Sequence, residues 1–321
     1  MLRFAMISKW HVHAQMYSEF VLKQPDAMIT CVWDEDPERG RVWAQKLDVE
    51  FVADLDTLLA RDDVDAVLVD TPTNMHKEVI IKAAKAKKHI FTEKVLAFTC
   101  ADCDEIIRRI RENNVTFTIS FPHRSFARNL YVKEMILSGA LGKITTLRIR
   151  NCHDGAVAGW LPEYWYDPIT TGGGAMMDLG AHGMYLANWL LGKPKRIVST
   201  FANLSGHLVE DNSVCVMEFE DSAIAITETS LVSPLSPVTL EVYGTKGVIQ
   251  YSDDDVRVRT LDNQEWTVPQ LPEELPHPIR QFIDSVLYAK PVNYGVEEAR
   301  MLSLMMEKAY IADSERREVA F

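Results

Sequence analysis

The sequence predicts an α/β fold in two parts: a doubly wound parallel sheet, then an α+β domain with a mostly antiparallel sheet. Three observations carry this. Over the first ~120 residues, short apolar runs alternate with helical patterns, as in parallel α/β sheets. After residue ~125 the strands become two-sided, with polar and apolar residues alternating. The length, 321 residues, suits two domains of ordinary size. The division is expected at residues 1–122 and 123–321.

In the first part, "FAMIS", "MITCVW", "AVLVDT", "HIFTE" and "FTISF" read as strands, nearly continuous in apolar residues because both faces are covered. Helical patterns fill 14–23, 37–47, 76–88 and 99–113. In the second part, a helix at ~126–138 ends in the glycines of "SGALGK". The strand "KITTLRIR" follows, then a helix at ~174–191. Strands are expected at ~196–204, 213–219, 223–230, 238–243, 247–251 and 256–260, and helices at ~277–289 and ~296–312.

Composition narrows the function. Acidic residues number 46 against 34 basic, a net charge of −12, which excludes the positive field of a nucleic-acid surface. No apolar run approaches the ~20 residues of a membrane span, and the N-terminus lacks a secretory pattern, so no membrane partner is expected. Five scattered cysteines read as reduced thiols and hence a cytoplasmic location. Cys100-Ala-Asp-Cys103 has redox spacing; the alternative is the first turn of the helix beginning near Thr99.

The chemistry-bearing residues fall at strand ends, where doubly wound sheets bind ligands. Ser8-Lys9-Trp10-His11-Val12-His13 stands where a glycine-rich phosphate cradle is usual. Ser8 is small enough for the tight turn, whereas Trp10 bars the close backbone approach that glycine allows. The helix N-terminus at ~14 still offers N–H groups and its dipole. The stretch reads as a remodelled dinucleotide loop, with Ser8, Trp10 and His11 (or His13) on the cofactor or substrate side. Asp34, ending the second strand, is placed to bind ribose hydroxyls and favour NAD, with NADP as the alternative; a helix N-cap is its rival role. Thr71 and Thr73 offer hydroxyls in the turn after the third long strand, with His76 at the next helix start. Glu93-Lys94 follows a buried strand, an unusual place for a lysine and one suited to proton transfer, with Glu93 and Lys94 on the cofactor side; the alternative is a surface lysine paired with Glu93.

Farther on, Gly172-Gly173-Gly174 permits close backbone approach. Asp178 and His182, four residues apart, share a helix face, so the carboxylate can orient the imidazole. His153, Trp165 and Tyr166 form either an aromatic substrate wall or packing. His11, His13, Asp178 and His182 are ligand-type residues, but His-x-His has no third ligand at fixed spacing, so no metal is expected.

Together, "LVDTPTNMHKEVIIKAAKAKKHIFTEKVLA", "GGGAMMDLGAHGMYLANWLLG" and "EVYGTKGVIQ" resemble, in order, the motifs of the glucose–fructose oxidoreductase / inositol dehydrogenase / MocA family. The resemblance implies an N-terminal Rossmann domain, a C-terminal α/β domain with an open antiparallel sheet, and a homodimer or homotetramer. It implies nicotinamide-dependent hydride transfer at a hydroxyl of a sugar, cyclitol or similar polyol. By it, Lys94, Asp178 and His182 are the catalytic residues. Glu93-Lys94-Val95 departs from the family's Glu-Lys-Pro, and the opening loop departs from its glycine motif. Two other readings are an enzyme that uses the cofactor without net redox (elimination, epimerisation or glycoside cleavage) and a non-redox member that binds a sugar or a metal.

Overall fold

A computed structural model of the chain describes residues 1–291 and 293–321. It divides into two compact units, Met1–Phe121 with Pro276–Ser303, and Pro122–Leu275 with Leu304–Phe321.

The first unit is built on β1 (Leu2–Ile7), α1 (Ala14–Leu22), β2 (Ala27–Trp33), α2 (Pro37–Leu47), β3 (Glu50–Phe51), α3 (Leu55–Leu59), β4 (Ala66–Val69), α4 (His76–Lys85), β5 (His89–Thr92), α5 (Cys100–Asn113) and β6 (Phe117–Ile119). Its six parallel strands lie in the order β3-β2-β1-β4-β5-β6. The order reverses between β1 and β4, so the ligand crevice of such a sheet opens beyond Ile7 and Val69. Local chemistry explains the helix ends. Asp36 caps α2 by accepting from the N–H groups of Glu38 and Arg39, with Pro37 at the first helical position. Thr99 caps α5 through the N–H of Asp102. Cys100 and Cys103 therefore sit in the first turn of a helix. Neither forms a disulfide, and burial pushes the Cys103 thiol up to about 11, away from the thiolate that a redox pair needs.

The expected boundary at 122 needs amendment. Residues 276–303 return to the first unit because the helix Pro278–Tyr288 has an apolar face that fits there. Ile279, Phe282 and Ile283 are fully buried in one core with Phe4, Tyr17 and Phe91. Burying each such side chain is worth about 1.5–3 kcal/mol.

The second unit contains α6 (Ala127–Leu137), β7 (Ile144–Cys152), α7 (Gly155–Ala158), α8 (Pro168–Thr171), α9 (Ala181–Leu191), β8 (Pro194–Ala202), β9 (Asn212–Phe219), β10 (Ile224–Ser230), β11 (Thr239–Gly244), β12 (Gly247–Ser252) and β13 (Asp255–Thr260). The returning helix Pro278–Tyr288 is α10; α11 (Val296–Glu315) and β14 (Val319–Ala320) complete the chain. The eight strands are ordered β13-β12-β11-β7-β10-β9-β8-β14; β7 and β10 run parallel and every other pair antiparallel. Helix α9 lies on this sheet, with Gly183 close to Thr227. One π-helical turn, Met176–Gly180, opens it. The glycine run is needed here. A Cβ on Gly173 would meet the Tyr310 hydroxyl at 1.8 Å, and one on Gly174 would meet the Glu210 carbonyl at 1.9 Å.

Among the described residues no helix is long and apolar enough to cross a membrane.

Candidate active site

The crevice end of the first sheet is assembled from four strand ends. After β1, Ser8 adopts φ 72°, a left-handed conformation that favours glycine. Its N–H donates to the Trp33 carbonyl at 2.7 Å, and its hydroxyl accepts from the N–H of Trp10 at 3.0 Å. The tight turn of a dinucleotide loop thus persists without its glycine. Trp10 folds inward, 6% exposed, so packing is part of its role. The N–H of His11 donates to the Asp70 carbonyl at 3.1 Å, tying this loop to the end of β4.

Asp34, at the end of β2, is buried and accepts four hydrogen bonds. Lys9 N–H (2.8 Å) and Arg39 Nε (3.0 Å) reach Oδ2; Asp36 N–H (2.8 Å) and Arg39 Nη2 (2.6 Å) reach Oδ1. A carboxylate offers about four lone-pair sites, so Asp34 is saturated. Asp36, not Asp34, is the N-cap of α2. Burial lowers the Arg39 guanidinium, but its bonds to Asp34 and the charge of Glu35 outweigh that and hold it above its ordinary value.

The end of β4 carries orphaned polar atoms. Both carboxyl oxygens of Asp70 and the Thr71 hydroxyl are buried with no hydrogen-bond partner among the described residues. Burial, and then the charge of Glu93, push the Asp70 carboxyl well above its usual range. Thr73 opens a 3₁₀ turn, Thr73–Met75, beside them. His76, at the start of α4, is buried. Its Nδ1 meets the Val95 carbonyl at 2.9 Å and its Nε2 the Thr71 carbonyl at 3.2 Å, so it braces the turns after β4 and β5.

Glu93, at the end of β5, is the hub. Its Oε1 accepts from His13 Nδ1 at 2.9 Å and from the Tyr17 hydroxyl in a short bond; its Oε2 accepts from Lys94 N–H at 2.9 Å. Burial alone would raise its carboxyl, but His11, His13 and Lys94 hold it well below the usual range. The Tyr17 oxygen also lies 2.7 Å from Ser120 Oγ; burial, then Glu93, raises this phenol well above its usual value. Lys94 follows, 5% exposed, and its peptide to Val95 is cis.

In the second unit, Asp178 sits within the π turn. His182 is 7% exposed; its Nδ1 lies 2.9 Å from the Tyr185 hydroxyl, and its ring stacks on His123 at 4.3 Å and 13°. Glu210 holds the start of this segment, accepting from Gly174 N–H (2.9 Å), Met176 N–H (3.0 Å) and the Tyr310 hydroxyl (2.6 Å). Tyr166 and Trp165 are buried, and Tyr166 stacks on His207 at 3.6 Å. His153 accepts from Gly155 N–H at 3.0 Å and packs on Trp160.

Sequence reasoning passed over Tyr17, Asp70 and Ser120, and gave Arg39 no place among the site residues. Tyr17 and Ser120 are separated from Glu93 along the chain, and no local pattern marks them. Asp70 ends its strand just before Thr71, which was a usable signal.

A doubly wound sheet of this strand order, with polar side chains gathered at its switch point, defines a dinucleotide-binding α/β protein. Residues 6–121 match the model of the oxidoreductase family's NAD-binding Rossmann fold, and residues 129–250 match the GFO/IDH/MocA C-terminal domain. The chain belongs to the Gfo/Idh/MocA oxidoreductase family, whose cofactor domain binds NAD. It is 30% identical to a myo-inositol 2-dehydrogenase of Thermotoga maritima, over 92% of this chain and 91% of that one. It is 31% identical to a 2,7-anhydro-N-acetylneuraminate hydratase of Mediterraneibacter gnavus, over 77% of this chain and 66% of the relative. A crystal structure of GenD2 from gentamicin A biosynthesis, in complex with NAD, superposes with a TM-score of 0.88 at 25% identity, covering 100% of this chain and 96% of that one.

Proposed function

We propose that this protein transfers a hydride between NAD and a CH–OH group of a sugar, cyclitol or related polyol. One observation carries the reading: a buried lysine, Lys94, stands directly beyond a parallel strand at the carboxyl edge of a dinucleotide-type sheet. The full-length likeness to an inositol dehydrogenase supports the substrate class.

The first unit suits the cofactor. The left-handed turn at Ser8 and the partnerless Thr71 hydroxyl are the features a bound dinucleotide would use. Ser8, Trp10, His11, Thr71 and Thr73 would line it, with Asp34 and Arg39 at the ribose. NAD supplies the hydride acceptor. Lys94 Nζ of the first unit is assigned the transfer of the substrate hydroxyl proton, and Asp178 and His182 of the second unit are the further candidate catalytic residues. In His182 the Tyr185 contact to Nδ1 holds the ring. His153, Trp165 and Tyr166 contribute aromatic surface for the substrate.

The same reading takes the chain as a cytoplasmic homodimer or homotetramer. The odd count of five scattered cysteines supports a reducing compartment. Val198, Val214 and Ile224 stand exposed on the outward face of the second sheet, as an association surface requires.

The test is kinetic. With NAD and a polyol panel, Lys94→Ala and His182→Ala should each lower kcat by about 10²–10⁴-fold, with NAD affinity changed far less. Near-normal turnover in either variant removes that residue from the mechanism. The hydratase likeness favours one second reading, a reaction in which the cofactor is used and restored. It is recognised by product formation without accumulating NADH.

A further inference from the structure

The cluster beyond β5 holds donor atoms to which the proposed hydride transfer assigns no chemical step. His11, His13 and Glu93 each present a metal-type ligand atom, and these atoms all lie within 4.8 Å of one another. We propose that His11, His13 and Glu93 together bind one divalent transition-metal ion, zinc by preference, at the carboxyl edge of the first sheet.

The donor set selects the metal. Two imidazoles and a carboxylate are the ligands of open zinc sites, which keep a fourth position for water or substrate. Magnesium and calcium take oxygen ligands and are disfavoured by two imidazoles. The geometry is compact. His13 Nδ1 lies 2.9 Å and His11 Nδ1 3.9 Å from Glu93 Oε1, and the two imidazole rings are 4.6 Å apart. Access is one-sided: the side chains of His11 and Glu93 are 4% and 2% exposed, whereas that of His13 is 36% exposed. An ion can arrive past His13 and finish with buried ligands.

A second observation points the same way. Asp70 is fully buried, and neither of its carboxyl oxygens has a partner among the described residues. Its own carbonyl accepts from His11 N–H, so it adjoins the first ligand. A buried carboxyl without a partner is costly, and a neighbouring dication supplies the missing countercharge. Outer-shell support is already in place. Tyr17, itself bonded to Ser120, and the N–H of Lys94 orient Glu93, as second-shell groups orient metal ligands.

The proposal lies wholly within the first unit and does not depend on the redox reading. Chelator-dialysed full-length protein is titrated with Co²⁺ while visible ligand-field absorption is followed, and Zn²⁺ is then added in competition. One Co²⁺ per chain is expected, displaced by Zn²⁺ but not by Mg²⁺. His13→Ala and Glu93→Gln should each weaken Co²⁺ more than the about 10–100-fold typical of losing an outer-shell partner. His207→Ala, outside the cluster, should leave Co²⁺ affinity unchanged. Melting curves identify any variant that fails to fold, and the unsubstituted protein's own stoichiometry and spectrum then decide. Absence of stoichiometric Co²⁺ binding, equal displacement by Mg²⁺, or unchanged affinity in folded variants overturns the site. NAD binding to the metal-free protein, followed separately by NADH fluorescence, tests the redox reading, so either can fail alone.

Discussion

Asp34 accepts four hydrogen bonds, and Arg39 makes two of them. Asp34, expected from its place after β2 to bind ribose hydroxyls, is therefore already committed. Ribose hydroxyls can bind Asp34 only by taking positions that Arg39 now fills. Arg39 also neutralises the charge that would repel a 2′-phosphate. Arg39→Ala should therefore free two acceptor sites and expose the carboxylate to the cofactor. The ratio of NADP Kd to NAD Kd should rise at least about tenfold, which corresponds to ~1.4 kcal/mol. Fluorescence titration with NADPH and NADH measures it. An unchanged ratio would remove Asp34 from the ribose site. His76 teaches the converse at the same scale: a residue in a cofactor-like position has both ring nitrogens on backbone carbonyls.

Among the elements, α10 most changes the architecture. Its apolar face fills the core of the first unit, and Arg280 on its polar side reaches Asp26 before β2 at 2.6 Å and 3.0 Å. The Arg280 hydrogen bonds, aided by the Tyr288 hydroxyl, lower Asp26 to about 2 despite opposing desolvation. The native form thus binds fewer protons than the unfolded chain between pH ~3.9 and about 2. Its stabilising contribution is full above that window and is lost as pH falls through about 2. In Arg280→Gln the Asp26 carboxyl should return toward ~3.9, and the variant's stability deficit should shrink on acidification across the same window. Carboxyl NMR titration reads the first, and urea midpoints at a series of pH values read the second. An Asp26 value unmoved by the substitution would show that Arg280 is not its cause.

For the whole molecule, the return of residues 276–303 makes the first unit discontinuous in sequence. A chain cut after residue 122 leaves Phe4 and Phe91 without Phe282, Ile279 and Ile283. Expressed alone, residues 1–122 should bind a hydrophobic dye and melt without cooperativity. A fusion that adds residues 276–303 through a flexible linker should recover a cooperative transition. Calorimetry and near-UV circular dichroism distinguish the two, and a cooperative melt from 1–122 alone would deny α10 its structural role.

Much of this was legible along the chain. Apolar runs of strand length, each followed by a helical period, specify a parallel sheet, because a buried strand needs apolar residues on both faces. Strand ends then mark Asp34, Thr71, Glu93 and Lys94, since parallel sheets expose those ends to ligands. The glycine run at 172–174 announced a close approach, and Tyr310 and Glu210 are what it approaches. Tertiary structure alone decided the rest. It packed α10 on the first sheet, saturated Asp34 with Arg39, and joined His13 and Tyr17 to Glu93 across 80 and 76 residues. Periodicity and turn chemistry are properties of neighbours in sequence. Which side chains share a buried charge depends on strand order, and strand order exists only once the sheet has formed.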